Sequence, residues 1–474
     1  MGKNAVAMPR RPWYSFATPT VGRLVRSLAR LTRHGGSALP GKVVEDIDPG
    51  FLARTLAQLP YGVVLVSGTN GKTTTTRMVA SILTELGFRV FTNPTGSNFT
   101  RGVVSALLTA TTAGGRLDAD IAVLELDEAY AVHFVRQVRP RYALLLNVMR
   151  DQLDRFGEID NTARLLGHVA AATSDTVVLN HEDPRIRALA ALAPKGTAVR
   201  YFGLSDELKP RFPSDDDMAT TVATEGASTA GAPAVGASTA GAGAPADDGP
   251  QIMPAACAGT APDVTLTRVG DHEATFLMDG TERTTAVRLE GVYNLYNAAA
   301  ALAVVRAVLA GSSRRPSTDE LFAAVSHVTP AFGRGEVIDV NGSPVELLLV
   351  KNPMGFRLSL ASFPPAGADT MIVINDEYAD GRDMSWLWDV DFTSLRATGV
   401  AAVSGVRAWD MALRLGYDRV PVARTDTDVD AALHAFVTAN PGVPKHIYCT
   451  YTAMLHVRAS LAKVAHVADA GVGR

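Results

Sequence analysis

The sequence has little cysteine and almost no excess of charge. Only two cysteines occur in 474 residues, Cys257 and Cys449. Two thiols so far apart exclude a disulfide scaffold and fit a reducing compartment. The 45 Lys and Arg residues against 48 Asp and Glu residues give a formal net charge of −3. That balance argues against a general nucleic-acid-binding protein, which needs many cations to neutralise phosphates, so no nucleic-acid partner is expected.

The chain also lacks a recognisable targeting or membrane-spanning segment. Its basic N-terminus is followed by no continuous apolar stretch of the signal-peptide kind. The longest apolar run, 298–305, is far shorter than the ~20 residues that cross a bilayer. Residues 23–33 interleave arginines with apolar residues at helical spacing. This pattern predicts an amphipathic helix packed on the protein, with a weak contact to an anionic membrane surface as the alternative. We expect a cytoplasmic protein, with or without peripheral contact at the inner membrane face.

Ample material for folded domains is present. Hydrophobic residues make up 47% of the chain and charged residues 20%, which fits two or three globular domains. Strands are predicted at 61–67, 121–126, 142–148, 176–180, 346–350, 370–374, 401–404 and 445–448. Helical stretches separate them, so the fold class is α/β with parallel sheets covered by helices.

One segment interrupts this pattern. Residues 213–262 are rich in Ala, Gly, Ser and Thr and repeat the hexapeptide GASTAG. Small residues bury too little apolar area to offset backbone ordering, so this insert is predicted to be disordered. We expect an N-terminal extension over 1–39, a central ATP-binding domain over 40–333 that contains the insert, and a smaller C-terminal α/β domain over 334–474.

The clearest chemical motif follows the first predicted strand. The run GTNGKTT at 68–74 lies between a strand and a helix, as a phosphate-binding P-loop does. Its glycines let backbone N–H groups wrap phosphate oxygens, and the helix N-terminus adds a positive dipole. We expect Lys72 to reach the β- and γ-phosphates from an exposed position and the Thr73 hydroxyl to hold Mg²⁺. The predicted phosphate-binding residues are Gly68, Thr69, Asn70, Gly71, Lys72, Thr73 and Thr74.

Acidic side chains follow the next predicted strands. Glu125 lies near the end of the strand 121–126 and is predicted to hold Mg²⁺ beside Thr73, directly or through water. Asp127 and Glu128 share that role or are ordinary loop acids. The segment NVMRDQLDR at 147–155 ends the next strand. Its carboxylates and arginines are predicted to face the crevice where ligands bind in open α/β folds, with an ordinary charged loop as the alternative.

The order of motifs resembles that of the Mur ligases. After the P-loop and Glu125 come DQLDR, LNHEDP at 179–184, GVYNLYN at 291–297 and GRGE at 333–336. The resemblance implies a ligase that uses ATP to form amide bonds through an acyl phosphate, with Asn294 on the nucleotide and Arg334 on its phosphates. Only about sixty residues precede the P-loop, too few for the nucleotide-sugar domain of amino-acid-adding members. Those members usually have a metal-binding histidine where this chain has Gln152.

The C-terminal third resembles the MurT family, the synthetase subunits of lipid II isoglutaminyl synthase. The matching motifs are KNP at 351–353, NDEYADGRDMSWLWD at 375–389, SGVRAWDMA at 404–412 and TYTAM at 450–454. The resemblance implies amidation of the α-carboxyl of D-glutamate in lipid II, with ATP, Mg²⁺ and a GatD-type glutaminase partner that supplies ammonia. Many members carry a four-cysteine zinc ribbon. The corresponding region here has only Cys257, so no ribbon zinc is predicted.

The chain itself is not expected to produce ammonia. Cys257 lies in low-complexity sequence, and Cys449 follows His446 by three positions on one strand, which places them on opposite faces. The acidic stretch 380–391 resembles the segment from which an aspartate completes the partner's Cys–His pair. Asp383 is predicted to be this catalytic residue, with Asp380 as the alternative that the sequence leaves open.

Two other functions are compatible with the P-loop. One is an amino-acid-adding or folylpolyglutamate-synthase-like ligase, which needs no glutaminase. The other is a nucleotide switch that forms no bond and needs no second α/β domain. The C-terminal motifs favour the isoglutaminyl synthase function over both.

Overall fold

The computed structural model describes residues 15, 17–31, 38–93, 98–149, 159–209, 261–270, 273–288, 292–328 and 334–467. The predicted insert lies outside these residues except for its last two positions. The DQLDR segment with Gln152, and Cys257, also lie outside them.

The described residues form the following elements. The α-helices are α1 (Thr18–Leu31), α2 (Ala38–Ile47), α3 (Phe51–Leu56), α4 (Lys72–Glu85), α5 (Thr100–Ala110), α6 (Glu128–Val135), α7 (Ile159–Ala172), α8 (Pro184–Ala188), α9 (Val292–Ala310), α10 (Thr318–Ser326), α11 (Pro353–Ser362), α12 (Ala408–Tyr417), α13 (Val429–Thr438) and α14 (Tyr451–Leu461). The strands are β1 (Val63–Ser67), β2 (Val90–Thr92), β3 (Ile121–Glu125), β4 (Tyr142–Leu145), β5 (Thr176–Asn180), β6 (Ala198–Leu204), β7 (Val264–Gly270), β8 (Glu273–Met278), β9 (Thr281–Ala286), β10 (Arg334–Val340), β11 (Ser343–Leu349), β12 (Asp369–Val373), β13 (Ala402–Ser404), β14 (Thr425–Asp426) and β15 (Lys445–Cys449).

Nine strands form the first sheet, in the order β2-β3-β1-β4-β5-β6-β7-β8-β9. Neighbours from β2 to β7 run parallel, and β8 runs antiparallel to both β7 and β9. Val64 and Val66 of β1 face α4 and α9, whereas Val63 and Leu65 face α5 on the other side. A strand covered on both faces is apolar throughout, as β1 is up to Val66. The predicted parallel α/β fold with helices on both faces is confirmed.

The antiparallel strands β7 to β9 extend the sheet beyond what we predicted from the sequence. A two-residue turn of Asp279 and Gly280 joins β8 to β9, with φ of 50° and 74°. Positive φ at both positions is the conformation that favours an Asp-Gly hairpin turn. The Asp-Gly dipeptide was therefore a usable signal for this hairpin.

Helix α9 lies in the core of this half of the protein. Residues Tyr293–Ala310 are long and apolar enough to span a membrane by length and composition, but 72% of that window is buried inside the protein. Its run of alanines, Ala298–Ala301, is almost fully buried. Small side chains let the helix pack closely on the sheet and on α4. The burial identifies α9 as a core helix.

Six strands form the second sheet, in the order β10-β11-β15-β12-β13-β14. The pair β10 and β11 is antiparallel, and the other neighbours run parallel. Met371 and Val373 of β12 face α13 and α14, while Ile372 faces α11 and α12. The predicted second α/β unit, with helices on both faces of its sheet, is thus confirmed. The two sheets divide between β9 and β10, and the domain boundaries at 39/40 and 333/334 stay a prediction.

The amphipathic helix predicted at 23–33 is confirmed as α1, which begins earlier, at Thr18. It packs on the first domain, where the Arg23 guanidinium donates to the Leu108 carbonyl at 2.9 Å. Leu24 remains on the exposed side of the helix. The packing supports the predicted contact with the protein, and the membrane contact stays a prediction.

Candidate active site

The P-loop follows β1 at the edge of the sheet where the carboxyl ends of the parallel strands meet. The strand order places β2 and β3 on one side of β1 and β4 on the other. The connections therefore switch from one side of β1 to the other at this point. Ligands of open α/β sheets bind at such a switch point. Gly68 has φ +136°, and a Cβ there would lie 3.0 Å from the Asn147 backbone. Gly71 has φ +84°, and a Cβ there would lie 2.6 Å from the Asn297 amide oxygen. Both positions therefore require glycine.

Lys72 is buried, which corrects the expectation of an exposed lysine. Its side chain folds back so that Nζ donates to the Gly68 carbonyl at 2.6 Å and the Thr69 carbonyl at 3.2 Å. Nζ also lies 3.2 Å from the Asp127 carboxylate and 3.8 Å from that of Glu128. The two acidic residues after β3 thus balance the charge of the lysine. The carbonyl and carboxylate partners offset the cost of removing the ammonium from water.

Thr73 and Glu125 come together as predicted. The Thr73 hydroxyl donates to Glu125 Oε1 at 2.8 Å. Asn93, at the end of β2, fixes the Glu125 backbone through a hydrogen bond in each direction, both of 2.9 Å. A hydroxyl and a carboxylate are hard oxygen ligands of the kind that Mg²⁺ prefers, together with water and phosphate. The two side chains therefore fit a magnesium ion beside the P-loop.

Asn147 begins the predicted ligand-facing segment after β4, and the sequence did not indicate its contacts with the P-loop. Its Oδ1 accepts from the Asn70 backbone N–H at 2.8 Å, and its Nδ2 donates to the Asn70 carbonyl at 3.0 Å. Nδ2 also donates to the Tyr293 hydroxyl at 2.9 Å. The amide thus ties the P-loop to the first turn of α9. Its position directly after an apolar strand was the available signal.

An open cleft lies between the P-loop and the second sheet. It encloses about 720 Å³ of empty space, part of which is open solvent. Thr74, Tyr293 and Asn294 line one side, and Lys351 and Ser359 line the other. Asn294 therefore faces the same cleft as the P-loop residues Asn70 and Gly71, which supports its predicted place at a nucleotide. Lys351 belongs to the KNP motif, but the sequence did not indicate that it lines this cleft.

A pair of amides joins the P-loop to the second domain. Asn352 Nδ2 donates to Asn70 Oδ1 at 2.9 Å, and Asn70 Nδ2 lies 3.3 Å from Asn352 Oδ1. Asn352 is 1% exposed and caps α11, where its Oδ1 accepts from the Gly355 N–H at 2.8 Å. One side chain therefore begins a helix of the second domain and contacts the phosphate-binding loop.

Arg334 opens β10, where its backbone pairs with that of Leu348. Its side chain is outside the part of the chain that the structure describes, so the predicted phosphate contact stays a prediction. Nearby, the Glu336 carboxylate accepts from Arg458 Nε at 3.0 Å and from Arg458 Nη2 at 2.9 Å. Burial lowers the pKa of Arg77 on α4, and the negative charge of Glu336 opposes this shift. Strand β10 thus brings charged groups of both domains together.

The structure distinguishes the two candidate aspartates. Asp380 is 4% exposed, and its carboxylate accepts from the Thr452 N–H at 2.7 Å, the Thr452 hydroxyl and the Glu377 N–H at 3.1 Å. Asp383 is exposed and accepts from the Ser385 N–H at 2.9 Å. Hydrogen bonds from the side chain and backbone of Ser385 hold the pKa of Asp383 below its usual value, so it is ionised at neutral pH. Asp380 is thus held inside the protein, whereas Asp383 is accessible to a partner.

The pair Cys449 and His446 is not arranged for catalysis. The Cys449 thiol packs among Met371, Val373 and Met454, and burial raises its pKa well above the usual value. His446 lies on the other face of β15, with Nε2 3.2 Å from the Glu346 carboxylate. The expected separation of the two side chains is confirmed. Within the described ranges, no group of three His, Cys, Asp or Glu side chains is placed to hold a metal ion.

Comparisons with known proteins match both halves of the chain. The profile of the Mur ligase middle domain matches residues 66–231, and that of the MurT ligase C-terminal region matches residues 349–454. The chain is 32% identical over 447 residues to the lipid II isoglutaminyl synthase (glutamine-hydrolyzing) subunit MurT of Streptococcus pneumoniae, covering 92% of this chain and 94% of that protein. The MurT subunit of Staphylococcus aureus strain COL is 27% identical over 409 residues, with coverage of 85% and 87%.

Solved structures share the fold. MurF from Acinetobacter baumannii has a TM-score of 0.63 at 18% identity, covering 90% of this chain and 80% of that chain. The MurF ligase from Thermotoga maritima in complex with ADP has a TM-score of 0.59 at 17% identity, with coverage of 87% and 81%. Folylpolyglutamate synthase from Mycobacterium tuberculosis has a TM-score of 0.57 at 17% identity, with coverage of 94% and 98%. At these identities the likeness shows the fold.

Proposed function

Because the chain belongs to the MurT family of Mur ligases and is an ATP-dependent ligase, we propose that it amidates the α-carboxyl of D-glutamate in the stem peptide of lipid II. The product is D-isoglutamine. The observation that carries the proposal is a similarity to a MurT subunit that spans 92% of the chain and includes both the P-loop and the C-terminal domain. The pneumococcal relative is by its name a lipid II isoglutaminyl synthase subunit.

The proposed chemistry proceeds through an acyl phosphate. A carboxylate is a poor electrophile, so its oxygen first attacks the γ-phosphorus of ATP and ADP leaves. Ammonia then attacks the acyl carbon with its lone pair, and inorganic phosphate leaves as the amide forms. Charge develops on the transferring phosphoryl group, and positive groups fixed around it lower the barrier.

The described side chains support this role for the P-loop. Lys72 is held at the loop by its contacts with Gly68 and Asp127, so its ammonium needs no large movement to meet phosphate oxygens. Thr73 and Glu125 would hold Mg²⁺, which when bound neutralises charge on the phosphates. Asn294 and Lys351 face the cleft from opposite sides and would contact the rest of the nucleotide.

Ammonia is proposed to come from a GatD-type glutaminase partner. The word subunit in the names of the MurT relatives implies a partner chain. Cys449 is buried with a raised thiol pKa, the opposite of an activated nucleophile. Asp383 is exposed and ionised, and it would orient and stabilise the imidazolium of the partner's Cys–His pair. We propose that the reaction takes place in the cytoplasm, at the inner face of the membrane. The amphipathic helix α1 exposes Leu24 to solvent, which would allow a weak contact with that surface.

The test is product analysis with two ammonia sources. The purified chain is incubated with lipid II, ATP, Mg²⁺ and ammonium chloride, and in parallel with the glutaminase subunit and glutamine. Mass spectrometry should show a hydroxyl replaced by an amino group on the glutamate residue in both reactions. A product carrying an added glutamate would favour the folylpolyglutamate-synthase-like alternative. ATP hydrolysis with no modified product in either reaction would contradict the proposal.

A further inference from the structure

The first 44 residues of the chain carry charge of one sign only. They contain eight Lys and Arg residues and no Asp or Glu, although the whole chain has a formal net charge of −3. The rest of the chain, residues 45–474, has 37 basic and 48 acidic residues, a net charge of −11. Such an asymmetry between two parts of one chain is typical of a basic part that meets an anionic surface. We call residues 1–44 the basic region.

Helix α1 belongs to the basic region, and one side of it is fixed to the first domain. The Thr18 hydroxyl donates to Asp48 Oδ2 at 2.9 Å, and Asp48 Oδ1 accepts from Arg54 at 2.7 Å. A Cβ on Gly22 would lie 2.6 Å from the Leu108 side chain, so the backbone of α1 packs directly on α5. These contacts hold the helix in one orientation on the protein.

The exposed side of α1 carries apolar residues. Val21 is 39% exposed and Leu24 is 64% exposed. The sequence repeats leucine four and seven positions after Leu24. Leu39, at the start of the neighbouring helix α2, is 45% exposed. Surface helices of globular proteins normally place polar residues opposite their buried side, so this helix is apolar where a helix exposed only to water is polar.

Cationic and aromatic residues accompany these apolar groups. Arg23 of α1 donates to the Leu108 carbonyl at 2.9 Å, and this neutral partner does not cancel the charge of the guanidinium. The sequence RRPWYSF at 10–16 directly precedes α1 and lies outside the described residues except for Ser15. Trp and Tyr are enriched where proteins meet the interface between membrane and water. The basic region therefore combines three kinds of residue that favour a membrane surface.

The combination favours lipid over other anionic partners. A nucleic acid is bound through cations on its phosphates and gains nothing from an exposed valine or leucine on a helix. Arginines interleaved with apolar and aromatic residues are the composition of helices that lie in the plane of an anionic bilayer surface. Each Lys or Arg near such a surface adds to the attraction.

We propose that the basic region docks the protein on an anionic membrane surface, with Val21 and Leu24 entering the headgroup layer and the cationic side chains facing lipid phosphates. The inference deepens the proposed function and rests on it for one point, that docking holds the ligase where its lipid-linked substrate lies. Because residues 45–474 are net acidic, the same surface repels the rest of the protein. Docking therefore also orients the protein, with α1 toward the lipid.

Co-sedimentation with vesicles tests the apolar part of this surface. Vesicles of phosphatidylglycerol mixed with phosphatidylcholine are compared with vesicles of phosphatidylcholine alone, and the wild type should bind only the first. Leu24→Ser should lower the partition coefficient roughly tenfold, because an exposed leucine no longer enters the apolar layer. Leu455→Ser makes the same exchange at an exposed leucine on α14 and should change the coefficient by less than about twofold.

The charged part is tested in the same assay. Arg10→Gln with Arg11→Gln should lower the partition coefficient roughly 20-fold, because two cations are lost near the anionic surface. Raising NaCl from about 0.1 M to about 0.5 M should weaken binding of the wild type, since salt screens this attraction. Arg136→Gln with Arg283→Gln removes the same charge from exposed positions outside the basic region and should change the coefficient by less than about twofold.

Amidation fed by ammonia separates docking from the chemistry. Leu24→Ser should raise the KM for lipid II presented in phosphatidylglycerol vesicles. Its KM and kcat for lipid II in neutral detergent micelles should equal those of the wild type, because Leu24 takes no part in the phosphate site. Equal activity in micelles also shows that the variant is folded.

Other results would overturn the inference. These are equal binding of the wild type to both kinds of vesicle, equal losses in the variants and their controls, and unchanged vesicle binding of Leu24→Ser with loss of self-association in sedimentation, which would assign the surface to a second copy. Absence of vesicle binding by a wild type that still amidates lipid II would overturn the docking alone. Absence of amidation by a wild type that binds the vesicles would contradict the proposed function and support the docking surface.

Discussion

Exchanging Asp380 and Asp383 for asparagine should separate a role in the folded protein from a role toward the partner. Asp380 is 4% exposed, and Thr452 and Glu377 donate three hydrogen bonds to its carboxylate. Asparagine keeps one oxygen but turns an NH₂ group toward a donor. Hydrogen bonds to a charged group contribute about 1.5–3 kcal/mol each, so losing one of them should cost about 1.5–3 kcal/mol of unfolding free energy. Asp383 accepts from the Ser385 N–H on the surface, and asparagine makes the same turn, so its exchange should change stability by less than about 0.5 kcal/mol.

The assay measures stability and both amidation activities on each variant. Urea unfolding gives the free energy, and amidation is run with ammonia and with glutamine plus the glutaminase. Asp383→Asn should retain ammonia-fed amidation and lose most glutamine-driven amidation, because the partner's imidazolium loses its counter-charge. Asp380→Asn should lower the urea midpoint, and the two activities should change together.

Three results would refute this reasoning. Equal urea midpoints for Asp380→Asn and the wild type would show that the buried hydrogen bonds contribute nothing to stability. A parallel loss of both activities in Asp383→Asn, with unchanged stability, would place its carboxylate in the synthetase site. Full activity in both assays would mean that another residue serves the glutaminase.

Three further predictions test the phosphate site, the buried thiol and the insert. Lys72→Ala should abolish ATP-dependent amidation, measured by mass spectrometry, and should lower the unfolding free energy by about 3 kcal/mol because Asp127 loses its buried counter-charge. A native circular dichroism spectrum is the control. Near-normal turnover would contradict the assignment of the phosphate site. In a Cys257→Ser background, iodoacetamide at pH 8 should leave Cys449 unmodified until denaturant is added, because its raised pKa keeps the thiol protonated. Rapid native alkylation would show otherwise. Deleting residues 214–259, outside the described residues, should lower the melting temperature by less than about 8 °C, because loop-closure entropy grows slowly with length. A larger fall would show that the insert is folded.

The sequence predicted the features that local patterns determine. Strands β1, β3, β4 and β5 are short apolar runs, and the P-loop glycines follow the first of them, so both were found. Contacts across long separations were not found, such as that between Asn70 and Asn352, because no local pattern encodes a pairing of residues 282 positions apart. The burial of Lys72 was missed for a similar reason, since it depends on the contact with Asp127, which follows a different strand. Asp380 and Asp383 looked alike in sequence because only the fold places Thr452 beside one of them.

The contact between Asn70 and Asn352 has a consequence for how the two halves of the reaction are coordinated. Because Asn352 also caps α11, a displacement of that helix changes a hydrogen-bond partner of the P-loop. If nucleotide and glutaminase both favour the arrangement in which the amides meet, each must raise the affinity of the other by the same factor. Glutamine hydrolysis would then be matched to the presence of ATP through equilibrium binding alone. The strength of that linkage would be set by a pair of side chains inside the synthetase, Asn70 and Asn352.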